Sequence, residues 1–170
     1  MKRWIGMALA LAVLLAAHPG RTEAQVAFGP QAVLVDFDDL AVGGRVDFGL
    51  GQALGIEEGV FQELFASLNG NYVFTEGDAT NLIFNANVAV PFEVEAAITP
   101  YAGAGINIYR WSFSETIFGE TISGSDTSSG LNLLGGLFFD LGEIPAFAEL
   151  QYSTSGAGYI SLSFGVLFGG

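Results

Sequence analysis

The sequence predicts an all-β fold: an eight-stranded antiparallel up-and-down transmembrane β-barrel, preceded by a cleaved signal helix. Three observations predict it. The chain opens on a short basic start followed by an apolar run. The remainder alternates apolar and polar residues with period two, the spacing of a strand with two unlike faces. The polar halves of that alternation hold Asn, Ser, Gln and Gly rather than charge. Of 170 residues, 51 % are hydrophobic and 14 % charged, whereas an ordinary soluble domain carries about 25 % charged residues. Such hydrophobicity argues against disorder. The absence of Cys excludes a disulfide scaffold. With five Lys and Arg against 18 Asp and Glu, the chain cannot build the basic patch that nucleic-acid binding needs.

Residues 1–24 read as a targeting segment. Met1-Lys2-Arg3 is basic, Trp4 to Ala17 is apolar apart from Gly6, and His18-Pro19-Gly20 ends any helix. Thr22-Glu23-Ala24 then offers small residues at the positions a signal peptidase reads, so cleavage is expected after Ala24. The apolar run is short for a membrane span of about 20 residues. Residues 25–170 form the expected barrel domain, exported and integral to a membrane. Lys2, Arg3 and Arg21 leave with the signal, and so does His18. The remaining chain has no Lys, His or Cys, and its basic residues are Arg45 and Arg110.

Eight strands are expected in order: Val26–Phe37, Ala41–Leu50, Glu63–Phe74, Asn81–Phe92, Thr99–Phe113, Ser129–Leu141, Ala146–Thr154 and Gly158–Gly169. Between Asn81 and Val90, Leu82, Phe84, Ala86 and Val88 oppose Asn81, Ile83, Asn85 and Asn87. In the last strand Ile160, Leu162, Phe164, Val166 and Phe168 oppose Ser161, Ser163, Gly165 and Leu167. Turn residues fill the joints at Asp38-Asp39, Thr75 to Asp78, Gly142 to Pro145 and Ser155 to Ala157. Ile56 to Phe65 could form a short helical turn, and Ser114 to Ser128 reads as the longest polar connector.

Alternation alone fits a soluble sandwich, apolar inward, or a membrane barrel, apolar outward. A soluble surface needs charge. Here most acids sit in connectors, and the polar faces are small and uncharged, which suits the crowded interior of a narrow barrel. Gly43, Gly49, Gly103, Gly105, Gly136 and Gly165 fall on those faces and make room for larger neighbours. Tyr72, Phe74, Phe92, Tyr101, Tyr109, Trp111, Phe113, Tyr152 and Tyr159 lie toward strand ends, as interfacial girdles do.

The segments AVGGRVDFGLG, PYAGAGINIYRW, GLNLLGGLFFDLG, PAFAELQYSTSG and YISLSFGVLF resemble, in order and spacing, the small outer-membrane barrels of Gram-negative bacteria, the group with the OmpA membrane domain and OmpX. The resemblance implies periplasmic termini, short periplasmic turns and longer outer loops. Gly142–Pro145 would be a periplasmic turn and Ser114–Ser128 an outer loop. Gly51–Gln62 departs from that pattern as a long periplasmic connection. Assembly machinery is expected to read the last strand, in which Phe164, Val166 and Phe168 match the family but Gly169-Gly170 do not. Expected partners are outer-membrane lipid and lipopolysaccharide, with the protein a monomer and no nucleic acid or cofactor bound.

Catalysis finds little support. Without His, Lys or Cys, the usual bases and nucleophiles are missing, leaving carboxylate pairs such as Asp36 with Glu149. The candidate lumenal polar cluster is Arg45, Asp47, Asp36, Glu149, Asn85 and Asn87. Arg45 and Asp47 share a strand face, and a buried Arg needs a partner among Asp36, Asp47 and Glu149. The cluster could gate a small pore, but the narrow interior favours a structural plug. Asp36-x-Asp38-Asp39 lacks the spacing and terminal Glu of a Ca²⁺ loop, so a solvated acidic turn is favoured. The expected role is a structural or surface-interaction one through outer loops. The alternatives are a narrow or gated pore and a soluble, exported, lipocalin-like barrel, which would turn Phe84, Leu162 and Phe164 inward.

Overall fold

A computed structural model describes residues 26–51, 53–56, 58–75, 79–92, 94–117 and 120–169; the signal segment 1–24 lies outside them. The strands are β1 (Val26–Val35), β2 (Asp39–Gly49), β3 (Phe65–Val73), β4 (Ala79–Pro91), β5 (Ile98–Ile117), β6 (Glu120–Leu141), β7 (Ile144–Ser153) and β8 (Tyr159–Val166). Each pairs antiparallel with its sequence neighbour, and β1 pairs with β8, closing the barrel. The closing seam runs from Gln31↔Gly165 to Val35↔Ser161, with a further bridge at Phe28↔Phe168. Closure satisfies backbone groups without leaving an edge in the wall.

The two faces sort by chemistry. Gln31, Ser67, Asn87, Asn107, Gln151 and Ser163 are buried inside. Phe28, Phe84, Ile106, Leu131, Leu133 and Phe164 stand exposed outside. Phe84 and Phe164 are each 50 % exposed, whereas Asn85 and Asn87 are 8 % and 2 % exposed. The lipocalin-like arrangement, which needs these faces inverted, is therefore not the one formed. On β6 the outward apolar residues run from Leu131 to Leu141. Ten residue steps rise about 33 Å along a strand, or about 25 Å along the axis of a barrel tilted by about 40°. That is the height of a membrane barrel's apolar band.

The stretch Ser114–Ser128, expected as a loop, is mostly strand. β5 and β6 stay in register from Ile98↔Phe139 to Ile117↔Glu120. Their hydroxyl residues meet across the ladder at Ser112↔Ser125 and Ser114↔Ser123, pairings a sheet tolerates well. β4 accompanies β5 only as far as Phe113, and β7 accompanies β6 only from Asn132. Beyond those points the two strands project as a free hairpin.

On the approach to that hairpin, where β5 still pairs with β4, the outward row turns polar and aromatics enter the axis-side row. The lipid-side row changes from Ile106 and Ile108 to Arg110 and Ser112 on β5, and from Leu133 and Leu131 to Ser129, Thr127 and Ser125 on β6. The axis-side row changes from Gly105 and Asn107 to Tyr109, Trp111 and Phe113 on β5, while on β6 it runs from Asn132 through Gly130, Ser128 and Asp126 to Gly124 and Ile122, a mixed row. The Trp111 and Phe113 rings lie 5.0 Å apart, and Phe113 covers Gly124.

Other boundaries also differ from expectation. β1 ends at Val35 because Asp36 and Phe37 take positive φ (51° and 60°) in a tight turn. The β6–β7 joint shrinks to Gly142-Glu143, with Gly142 at φ 72°. Among the described residues of the stretch Ile56–Phe65 the expected helical turn is replaced by bends and turns. Gly55 and Gly59 adopt left-handed φ, leaving isolated turns such as Leu54 N–H to Leu50 O and Gln62 N–H to Gly59 O. The described outward aromatics include Phe28, Tyr72, Phe74, Phe92 and Tyr152. Tyr101 and Tyr159 point inward and are buried, Tyr109 packs against the inner apolar cluster, and Trp111 and Phe113 lie on the axis-side row, so these five leave the expected girdle.

Candidate functional site

The lumen is filled in three layers. Nearest the chain termini, β2 places Arg45 and Asp47 two residues apart on its inner face. Arg45 Nε donates to both Asp47 oxygens, at 2.7 and 3.0 Å. Arg45 Nη1 donates to Glu149 Oε2 at 2.9 Å. Tyr101 from β5 donates its hydroxyl to the same Glu149 oxygen at 3.0 Å and accepts from Arg45 Nη1 at 3.3 Å. The guanidinium carbon lies 4.2 Å from the Phe147 ring centroid, within range for a favourable cation–π contact. Arg45 is 1 % exposed. Taking such a group out of water is costly unless partners surround it; two carboxylates and a hydroxyl meet Nε and Nη1 and an aromatic face covers the group, while Nη2 is buried without a hydrogen-bond partner. Phe65, Tyr101 and Phe138 stack around the pair. Gly136 leaves the space that the Tyr101 ring fills, and Gly165 the space for Phe147.

The middle layer is a network of amides and hydroxyls. Gln31 donates to Asn71 (2.6 Å), Asn71 to Asn69 (3.1 Å) and Asn85 to Asn69 (2.7 Å). Asn132 donates to Asn85 (3.1 Å) and Asn87 (2.8 Å), and Asn87 to Gln151 (3.1 Å). Gln151 also donates to Ser153 (2.9 Å), whose hydroxyl donates to Asn132 (2.8 Å). The network links β1, β3, β4, β6 and β7. Amides suit it because each carries both donors and an acceptor without the desolvation cost of charge. The third layer, toward the β1–β2 turn, is apolar: Val33, Val35, Ala41, Val73, Ile83 and Tyr159, with Tyr109 packed against them.

The structure brings Arg45, Asp47 and Glu149 together and places Asn85 and Asn87 in the neighbouring amide layer. Asp36 is not in the lumen. It occupies the exposed β1–β2 turn, where Oδ1 accepts from Ile160 N–H at 2.9 Å and its own N–H donates to Ile160 O at 2.7 Å. The cause is the positive-φ turn, which takes Asp36 out of the strand alternation. This also separates Asp36 from Glu149 as a carboxylate pair. Tyr101, Asn107, Asn132 and Gln151 complete the interior, and each sits on an inward position of its strand's alternation. Among the described residues, no group of three or more His, Cys, Asp or Glu side chains is arranged to hold a metal ion.

No protein-family model and no curated protein matches the sequence. Solved structures do match. The N-terminal β-barrel domain of Pseudomonas aeruginosa OprF aligns with a TM-score of 0.58 at 14 % identity, over 86 % of this chain and 98 % of that one. This chain has the fold of the small outer-membrane barrels. Neisserial surface protein A aligns with a TM-score of 0.59 at 16 % identity, over 87 % and 97 % of the two chains. Ail, the attachment invasion locus protein of Yersinia pestis, aligns at 0.54 and 18 %, over 86 % and 100 %. A de novo designed transmembrane β-barrel aligns at 0.55 with 10 % identity. The architecture is thus carried by face chemistry and strand pairing rather than by particular residues.

Proposed function

We propose that this is a small integral outer-membrane barrel with a structural and surface-interaction role, without catalysis. The observation that carries the reading is the polarity exchange along β5 and β6. Apolar residues face outward over a membrane-sized band, and hydroxyls and Arg110 replace them where the hairpin leaves it. Only a change of surrounding solvent rewards that exchange. Residues 1–24 serve as the export signal, removed after Ala24. The termini then lie in the periplasm, and the β5–β6 hairpin projects outside, amid lipid and lipopolysaccharide, as the contact surface. The barrel acts as a monomer, and its last strand, with Phe164, Val166 and Phe168 outward, is the part offered to the assembly machinery.

The three packed lumen layers support a plug over an open pore. The ion cluster, the amide network and the apolar layer succeed one another along the axis, with hydrogen bonds spanning the bore. Cell fractionation, migration of unboiled protein on a gel and planar-bilayer conductance test the proposal together. The expected result is outer-membrane recovery, a heat-dependent gel shift and no steady conductance. Recovery as a detergent-free soluble protein would overturn the membrane reading, and sustained ion current would overturn the plug.

A further inference from the structure

We propose that the lumen mouth at the terminal end is a binding site for a small organic cation with an apolar body. A cavity of about 480 Å³ opens there, within the size range of small-molecule sites. Phe65 and Phe138 form an aromatic floor, and Asp47, Thr99, Gln62 and Glu63 supply the polar lining. The site is built, because the β2–β3 connector is folded back to make its rim. Leu50 N–H and Gly51 N–H both donate to Leu64 O, at 2.7 and 3.0 Å, and Ile56 N–H donates to Gly51 O. Gly51 permits this close return, since a Cβ there would collide with the Gln62 carbonyl. A function for the mouth accounts for a connector far longer than the Gly142-Glu143 turn at the same end.

The chemistry selects a cation. Asp47 lines the cavity with its side chain only 10 % exposed. Among the described residues its two oxygens share a single donor, Arg45 Nε, and carboxylate oxygens have capacity for more. Arg45 itself is withdrawn, with a side-chain exposure of 0 %. The cavity lining therefore carries two acids and no base. An ammonium group would meet Asp47 while its apolar body covers Phe65 and Phe138, with exposed Glu63 adding negative charge at the rim, and aromatic faces themselves attract cations. A neutral apolar molecule would instead desolvate Asp47 without compensation, and an anion would be repelled.

The test uses the full mature barrel in phospholipid nanodiscs, titrated with benzylammonium and, separately, benzyl alcohol, and followed by amide NMR. Benzylammonium is expected to give saturable shifts at Gly49, Gly51, Glu63 and Thr99. Benzyl alcohol should bind at least about ten-fold more weakly, since one charge-assisted hydrogen bond supplies that factor. Asp47→Asn should abolish saturation. Glu63→Gln, which lies outside the Arg45 network and leaves folding intact, should weaken binding about three-fold, the worth of a partly screened charge. Equal affinity for the two probes would overturn the proposal. So would shifts confined to lipid-facing residues such as Leu133 and Phe164, or unchanged affinity in Glu63→Gln.

Discussion

The lower and upper parts of β5 and β6 belong to one ladder, yet their outward rows differ in chemistry. Within the wall, Ile106, Ile108, Leu131 and Leu133 point outward, and Asn107 and Asn132 point in. A few residues further on, Arg110, Thr127 and Ser125 occupy the outward row, and Trp111, Phe113 and Ile122 join Ser128 and Asp126 on the axis-side row. Backbone pairing continues unbroken across the change. The difference teaches that strand formation and solvent are read separately. The ladder needs only pairing partners and β-compatible side chains, whereas the choice of face depends on what surrounds it. The exchange thus marks, in the chain itself, where hydrocarbon ends.

The largest effect should come from breaking the wall region's interior. Arg45→Ala leaves Asp47 and Glu149 buried without their shared cation, a loss of about 3–5 kcal/mol. Urea unfolding followed by the unboiled gel shift should show it as a large drop in midpoint. A loss below about 1 kcal/mol, as for an exposed ion pair, would show that water penetrates to the cluster and that the interior is not the closed plug its contacts describe.

A direct test of the two regions places the same charge on one row of one strand. Leu133→Arg puts a cation into the lipid-facing band and should destabilise the folded barrel by about 2–4 kcal/mol. Ser125→Arg sits on the same row beyond the exchange and should change stability by no more than about 0.5 kcal/mol. Equal penalties would erase the boundary and place the hairpin in lipid as well. Folding each variant into the same bilayers and comparing urea midpoints measures both.

Most of the barrel was legible because lipid and lumen impose a strict period of two. The face assignments of β3, β4, β7 and β8 follow from it directly; it placed Arg45 and Asp47 on one inner face and left the partner of Arg45 open among Asp36, Asp47 and Glu149. Two features were hidden for physical reasons. Ser114–Ser128 is rich in Ser, Thr and Gly, which favour turns as readily as exposed strands, and its strand state is fixed by the partner across the ladder. Asp36 continues the alternation in sequence, yet Asp36 and Phe37 adopt left-handed backbone. Its carboxylate then caps Ile160 N–H on the far side of the seam, a contact between residues 124 apart that no local pattern encodes.

That turn gives a smaller and paired prediction. Asp36→Ala removes the acceptor for Ile160 N–H at the seam and should cost about 1 kcal/mol. Phe37→Gly relieves left-handed backbone in a non-glycine residue and should stabilise by up to about 1 kcal/mol. Both are far below the Arg45→Ala effect, because Asp36 lies in water and not in the plug. An Asp36→Ala loss as large as that of Arg45→Ala would mean that the exposed seam, rather than the interior, limits stability.

The smallest perturbation reads the boundary without changing it. Trp111 is the one tryptophan among the described residues, the other being Trp4 in the proposed signal segment, and it lies one residue past Arg110, on the axis side. Its emission should be quenched by aqueous acrylamide and left nearly unchanged by lipids brominated along their acyl chains. A tryptophan placed outward in the wall, as in Phe84→Trp with Trp111→Phe, should show the reverse. Phe84 is exposed on the lipid side of β4 opposite Ile108, so the two probes differ in depth as well as face. Acyl-chain quenching of Trp111 comparable to that of the wall probe would move the hydrocarbon boundary up the hairpin and remove the reason for its change of face.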